Sequence, residues 1–151
     1  MIDSDLYTLA DFRNKNGNVF EERPQVDGRL HGMYKEYYEN GEIKRELPHT
    51  YGVRHGESKW YYNYKKQISE IGSYQKNTPQ GMWIKYFTNG NVFEERPRVD
   101  GLLHGIYKEY YENGAIKREM PYIRDKRHGL GKWYSQDGEL TEAIYYDMGN
   151  T

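Results

Sequence analysis

The chain has 151 residues and a formal charge of −1, with 22 basic and 23 acidic residues finely interleaved. It is long enough for one domain, and the balance of charge leaves no field to steer a nucleic acid or an anionic lipid. Only 26 residues are Leu, Ile, Val or Phe while 24 are aromatic, so a thin fold with Tyr and Trp as its apolar surface is expected rather than disorder.

Met1 to Phe12 opens acidic and has no apolar run of the signal-peptide kind. It fits the pattern of the later residues poorly and is expected to be an end cap, a short helix with Ser4 as its N-cap. Residues 1–16 thus form a cap or partial repeat, followed by one continuous repeat domain over residues 17–151. No stretch approaches the ~20 apolar residues of a membrane helix. The chain has no cysteine for a disulfide or a thiolate metal site. A cytoplasmic protein is the expectation.

From Gly17 onward the chain repeats. The segments 17–46 and 90–119 match at 26 of 30 positions, offset by 73 residues, and differ only at Gln25/Arg98, Arg29/Leu102, Met33/Ile106 and Glu42/Ala115. The offset equals three units of about 24 residues, so a three-unit block is read as copied whole. Units open near residues 31, 55, 80, 104 and 128, at His31, His55, Gln80, His104 and His128. A truncated one precedes them, with Asn16-Gly17 as its turn and a strand from Asn18 to Arg23.

Each unit reads as a β-hairpin. Met33 to Tyr38 is a tyrosine-rich strand, Asn40-Gly41 supplies the left-handed residues of a two-residue turn, and Ile43 to Leu47 returns. Pro24, Pro48, Pro97 and Pro121 should end their ladders, because proline has no N–H to donate. A loop then leads to the next unit, giving about 11 strands. The unit at 55–79 is one residue longer and has Tyr64-Lys65 where the others have Asn-Gly or Asp-Gly, so a bulge or looser turn is expected there. The fold class expected is all-β, a single-layer twisted antiparallel solenoid of about five to six stacked β-hairpins.

Alternation assigns the faces of the first strand. One face carries an aromatic layer of Tyr34, Trp60, Trp83, Tyr107 and Trp133. Where the first position is small, at Ser58 and Gly131, the second becomes Trp, which conserves volume. The other face carries Lys35, Lys59, Lys108 and Lys132 with Tyr37, Tyr61, Tyr86, Tyr110 and Tyr134. These nine residues are the candidate partner-binding set. The tyrosines read first as braces that every unit needs and second as rigid interface anchors. The buried face of the return strand stays unassigned, since Ile43 and Leu47 share their parity with Arg45.

Nothing in the sequence points to catalysis, a metal or another cofactor. Equivalent histidines in a hairpin stack lie about 9.6 Å apart, too far for one zinc with bonds of ~2.1 Å. They are expected to hydrogen-bond a neighbouring loop. Adjacent glutamates such as Glu21-Glu22 point to opposite faces and form no acid–base pair. The column Glu21, Arg45, then Glu94, Arg118, Glu142 reads as a surface ladder worth a few tenths of a kcal/mol per pair. Glutamates beside the lysines argue against nucleic acid.

The string His-Gly-x-Tyr-x-x-Tyr-Tyr-x-Asn-Gly followed by Ile-Lys-Arg-Glu, repeated about every 24 residues from Gly17 to Tyr146, resembles the bacterial variant of the MORN repeat. The resemblance implies a β-hairpin solenoid that acts by binding and is not an enzyme. It implies a protein partner, such as the toxin countered by an antitoxin or immunity protein, or a role as a peripheral adaptor on acidic phospholipid. This chain lacks the glycine richness of the eukaryotic pattern and adds the Tyr-Tyr pair, so lipid binding carries over poorly. Self-association through the sheet ends, at Ala143–Tyr146, is a further expectation.

Overall fold

The computed structural model describes residues 7–149, and every regular element among them is a β-strand. The chain forms two compact units, Met1–Thr78 and Pro79–Thr151. The first holds β1 (Tyr7–Arg13), β2 (Val19–Val26), β3 (Arg29–Leu30), β4 (Gly32–Tyr37), β5 (Ile43–Thr50), β6 (Val53–Arg54), β7 (Gly56–Tyr61) and β8 (Ile68–Gln75). Its antiparallel order is β1-β2-β4-β5-β7-β8, with β3 folded back on β2 and β6 on β5.

The second unit holds β9 (Thr78–Tyr86), β10 (Val92–Val99), β11 (Leu102–Leu103), β12 (Gly105–Tyr110), β13 (Ile116–Ile123), β14 (Lys126–Arg127), β15 (Gly129–Tyr134) and β16 (Leu140–Tyr146). Its order is β9-β10-β12-β13-β15-β16, with β11 on β10 and β14 on β13. Each unit is therefore three hairpins in one open antiparallel layer, the all-β hairpin stack expected from the repeats. The 73-residue offset puts one copy of the duplicated block in each unit.

Several local expectations are overturned. Tyr7–Phe12 is not a helix but pairs with β2, from Tyr7↔Val26 to Phe12↔Glu21. A strand satisfies the ladder of β2, which a single capping serine could not outweigh; Ser4 itself lies outside the described residues. The prolines do not end their strands, since β2, β5, β10 and β13 run two residues past Pro24, Pro48, Pro97 and Pro121. Each proline carbonyl accepts from the following unit's histidine N–H, His31 to Pro24 at 2.9 Å and His104 to Pro97 at 3.0 Å. In an antiparallel strand a residue's N and C=O face the same neighbour. The missing N–H thus faces the break between β3 and β4, or its equivalents, where no ladder acceptor waits.

The glycine of each His-Gly pair explains that break. Gly32, Gly56, Gly105 and Gly129 adopt φ of +110° to +117°, and a Cβ on any of them would sit 3.0–3.3 Å from the Cγ of Pro24, Pro48, Pro97 or Pro121. The proline ring lies against bare backbone, a close approach only glycine allows.

The turns also differ from expectation. At Asn40-Gly41 only Gly41 is left-handed, at φ +85°, and the Gly41 N–H donates to Tyr38 O at 2.9 Å. The loop is thus three residues, a tight turn followed by a left-handed glycine. A bulge occurs not in one unit but in all six hairpins, for instance between Glu36 and Tyr37 and between Glu109 and Tyr110. What distinguishes the unit at 55–79 is its longer loop, with Lys65 and Lys66 left-handed. The segment between repeats is itself a hairpin. Asp27-Gly28, Tyr51-Gly52, Asp100-Gly101 and Arg124-Asp125 are two-residue turns with both φ positive, and they create β3, β6, β11 and β14. Hence 16 strands among the described residues rather than about 11.

One face of each sheet is packed. It pairs Tyr34 with Leu47 and Ser58 with Gly72 in the first unit, and Trp83 with Arg96, Tyr107 with Met120 and Gly131 with Ile144 in the second. Leu47, Ser58, Trp83, Tyr107 and Met120 are buried, and Tyr34, Trp60 and Trp133 are half-buried. A Cβ on Gly131 would lie 2.8 Å from Met120 Cε and 3.2 Å from Trp133 Cη2, so the indole occupies the space that glycine leaves. The buried face of the return strand, left open by the sequence, is that of Leu47 and Met120. Arg45 and Arg118 share it because their guanidinium groups lie over the Tyr34 and Tyr107 rings and pair with Glu36 and Glu109.

Candidate interaction faces

The packed face is a charge network closed on itself. Glu94 accepts from the Tyr107 hydroxyl at 2.8 Å and pairs with Arg96 at 3.2 Å and Lys85 at 3.4 Å. Glu21 accepts from Tyr34 at 2.8 Å and from Arg23 Nε at 2.7 Å. Both carboxylates are buried, so these two members of the column expected at the surface lie in the core, while Arg45 and Arg118 are half-buried and Glu142 is exposed. Burial alone would raise the Glu36 pKa, but Lys44 and Arg45 pull it below its ordinary value. Burial, with help from Glu94, pushes the Tyr107 hydroxyl up to about 12. Glu21, Glu36, Glu94 and Glu109 on this face each have a cationic partner of the same chain.

His31, His55 and His128 hold turns. Nδ1 of His31 accepts the Tyr51 N–H at 3.2 Å, His55 that of Lys76 at 3.4 Å and His128 that of Met148 at 3.3 Å. Gln80 fills the same role with its side-chain oxygen, accepting the Asp100 N–H at 3.2 Å. These are the loop contacts expected of the histidine column. A hollow of about 460 Å³ in the first unit is lined by Thr50, Val53, His55, Lys76 and Asn77, and no carboxylate is in that set.

The opposite, open face carries the candidate binding set in three tiers. Registry gives the middle tier as Glu22, Lys35, Glu46, Lys59, Ile71 in the first unit. In the second it is Ile84, Glu95, Lys108, Glu119, Lys132, Ala143. Each lysine of the set stands between residues of which at least one is glutamate.

The tyrosines are tethered to those glutamates. Tyr37 donates to Glu22 at 3.0 Å, Tyr61 to Glu46 at 2.7 Å and Tyr134 to Glu119 at 3.0 Å. Tyr110 makes the same bond to Glu95. Burial, then the adjoining glutamate, pushes the Tyr37, Tyr61 and Tyr110 hydroxyls up to about 12. Tyr86 is half-buried at the corresponding place opposite Val92. So these rings brace successive hairpins and form a third tier with Val92, Ile116 and Leu140 opposite Tyr86, Tyr110 and Tyr134.

Sequence reasoning missed the first tier. In the second unit Met82, Pro97, Ile106, Pro121, Leu130 and Tyr145 follow one another across the strands, with Met82 47%, Ile106 51%, Leu130 46% and Tyr145 60% exposed. In the first unit Leu9, Pro24, Met33 and Pro48 begin the same tier, but Glu57 opposite Ser73 breaks it. The signal was available as the variable residue of His-Gly-x-Tyr. Met33, Glu57, Met82, Ile106 and Leu130 occupy that column.

No curated protein matches the chain. The family model for the MORN repeat variant matches residues 30–50, 103–124 and 127–148, each spanning the end of one inter-repeat turn and the hairpin that follows. Three of the hairpin units of this chain are thus similar to MORN repeat variants.

Proposed function

We propose that the chain is a non-catalytic binding module whose open face receives a protein partner. The observation that carries this is the exposed apolar tier Met82, Ile106, Leu130 and Tyr145, held on a rigid sheet beside a ladder of alternating charge. Contiguous exposed apolar surface rimmed by polar groups is the mark of an interaction site. Lys35, Lys59, Lys108 and Lys132 supply the polar rim, and the tethered Tyr37, Tyr61, Tyr110 and Tyr134, together with Tyr86, supply flat anchors. MORN repeats are commonly binding or adaptor modules, which supports the same reading.

A protein partner, such as the toxin of an antitoxin pair, suits this face better than acidic phospholipid, which would favour a run of cations over alternating signs. β16 pairs only with β15 among the described residues, and it offers its other edge to a partner's strand. Photo-crosslinking from position 106 in the native cell tests the reading, with the exposed turn residue Asp137 as the control position. Protein adducts at 106 and none at 137 are expected. A face at 106 that yields no adduct overturns it.

A further inference from the structure

The open face of the second unit is complementary to itself. We infer that it docks on the same face of a second copy of this chain, about a two-fold axis parallel to the strands. The inference rests on the open face being the binding surface.

Such an axis reverses strand order while keeping each tier at its own height. In the middle tier, Ile84 then lies over Ala143 of the second copy, Glu95 over Lys132 and Lys108 over Glu119. An alternating ladder of four charges turned end for end meets opposite signs at every step. In the first tier Met82 lies over Tyr145, Pro97 over Leu130 and Ile106 over Pro121. In the third, Tyr86 lies over Leu140, Val92 over Tyr134 and Tyr110 over Ile116. No charge falls on an apolar residue anywhere in the three tiers. A self-complementary patch is what a two-fold interface requires, and sheets pack face to face with strands aligned within about 30°.

The first unit shows that this match is not a general property of the repeat. There the same operation sets Leu9 over Ser73, Pro24 over Glu57 and Asp11 over Ile71. Of the four positions at which the duplicated segments differ, Met33/Ile106 alone lies in the tiers and is apolar in both; what sets the second unit apart is Met82 and Leu130 flanking Ile106, where the first unit has Glu57.

Six strands at ~4.8 Å and three tiers spanning about 14 Å make a modest face. The dimer should therefore be a transient one, below the size of standard stable interfaces, with a dissociation constant on the order of tens of micromolar.

Sedimentation equilibrium of the full chain from about 1 to 500 µM decides the matter. The wild type should dimerise, and Ile106→Glu, at a half-exposed site, should weaken the dimer at least 100-fold with unchanged circular dichroism. The Lys108→Glu/Lys132→Glu variant (four acids) and the Glu95→Lys/Glu119→Lys variant (four bases) should each be monomeric alone and form a mixed dimer at 1:1. If the basic variant fails to fold, because Glu95 and Glu119 accept from Tyr110 and Tyr134, the acidic variant and Ile106→Glu still decide. A monomer at 500 µM, or a dimer that Ile106→Glu and the acidic variant leave intact, overturns the inference. Monomeric chain with adducts to a different protein at position 106 would overturn it while leaving the proposed function standing.

Discussion

Gly105→Ala should be among the most damaging single-methyl changes in the second unit, for two separable reasons. The backbone there has φ +117°, outside the regions open to side-chain-bearing residues, which costs about 1–3 kcal/mol. The new Cβ would also lie 3.2 Å from Pro97 Cγ and 3.3 Å from its Cβ, and the ring cannot rotate away. Crowding of that kind adds about 1 kcal/mol. Gly114→Ala isolates the first cost, because φ is +90° and no atom lies within 4 Å of its added methyl. Pro97→Ala/Gly105→Ala isolates the second, since removing Cγ relieves the nearest contact. Urea unfolding followed by tryptophan fluorescence should give about 2–4 kcal/mol for Gly105→Ala and about 1 kcal/mol less for Gly114→Ala. The Pro97/Gly105 cycle should show a coupling near 1 kcal/mol. Equal costs for the two glycines, or no coupling with Pro97, would refute the ring-on-glycine contact as the reason His-Gly recurs.

Tyr61→Phe should lower stability by about 1 kcal/mol, because it strips a 2.7 Å donor from the half-buried Glu46, and Glu46→Gln in the same background should cost much less than it does alone. At alkaline pH, Tyr37, Tyr61, Tyr107 and Tyr110 have folded pKa values near 12 against an ordinary 10. Raised folded values mean that their stabilisation is complete below pH 10 and is lost as pH climbs through 12, so absorbance at 295 nm should rise in a late step coincident with loss of β-sheet dichroism. One early wave near pH 10 with the sheet intact would contradict this. His49 shows the opposite sign. Burial, with Arg54 nearby, lowers its folded pKa below 6.5, so its contribution is present above pH 6.5 and is lost as pH falls through the folded value. The melting temperature should drop from pH 7.5 to 5.5 more in the wild type than in His49→Gln, and identical drops would remove His49 from the account.

The parts of the fold legible in the sequence were those written once per unit. The period, the hairpins, the aromatic layer and the Gly131/Trp133 volume exchange are local, and five copies average away the noise. What escaped depended on strands being neighbours. Proline was read as a terminator because its missing N–H is visible in sequence, whereas the break at His31-Gly32 that makes the loss harmless is a property of the adjoining strand. The Glu21 and Glu94 column looked like surface because its charges are visible, while the Tyr34 and Tyr107 hydroxyls that satisfy them lie 13 residues away. On the candidate site, tyrosine and lysine drew attention by recurrence. Ile106 and its neighbours went unremarked because a binding position varies from unit to unit while a bracing position does not.

That contrast separates the two roles within one face. A residue that ties hairpin to hairpin must meet the same geometry in every unit. Thus Tyr37, Tyr61, Tyr110 and Tyr134 each reach back 15 residues to a glutamate, and Tyr38 and Tyr111 reach forward 23 residues to a tyrosine carbonyl at 2.7 and 2.8 Å. Stability is then a sum of nearest-neighbour terms, as in other repeat folds, and a one-layer sheet stands without a second layer because polar tips fasten rings across the strands. The last return strands, β8 and β16, carry Ile71 and Ala143 where the others carry that glutamate. Each of the four tyrosine–glutamate tethers joins neighbouring hairpins of one three-hairpin block. Once duplicated, the untethered column of Met33 and Ile106 was free to change without loss of the brace. The open face could diverge between the two units while the sheet beneath it stayed the same.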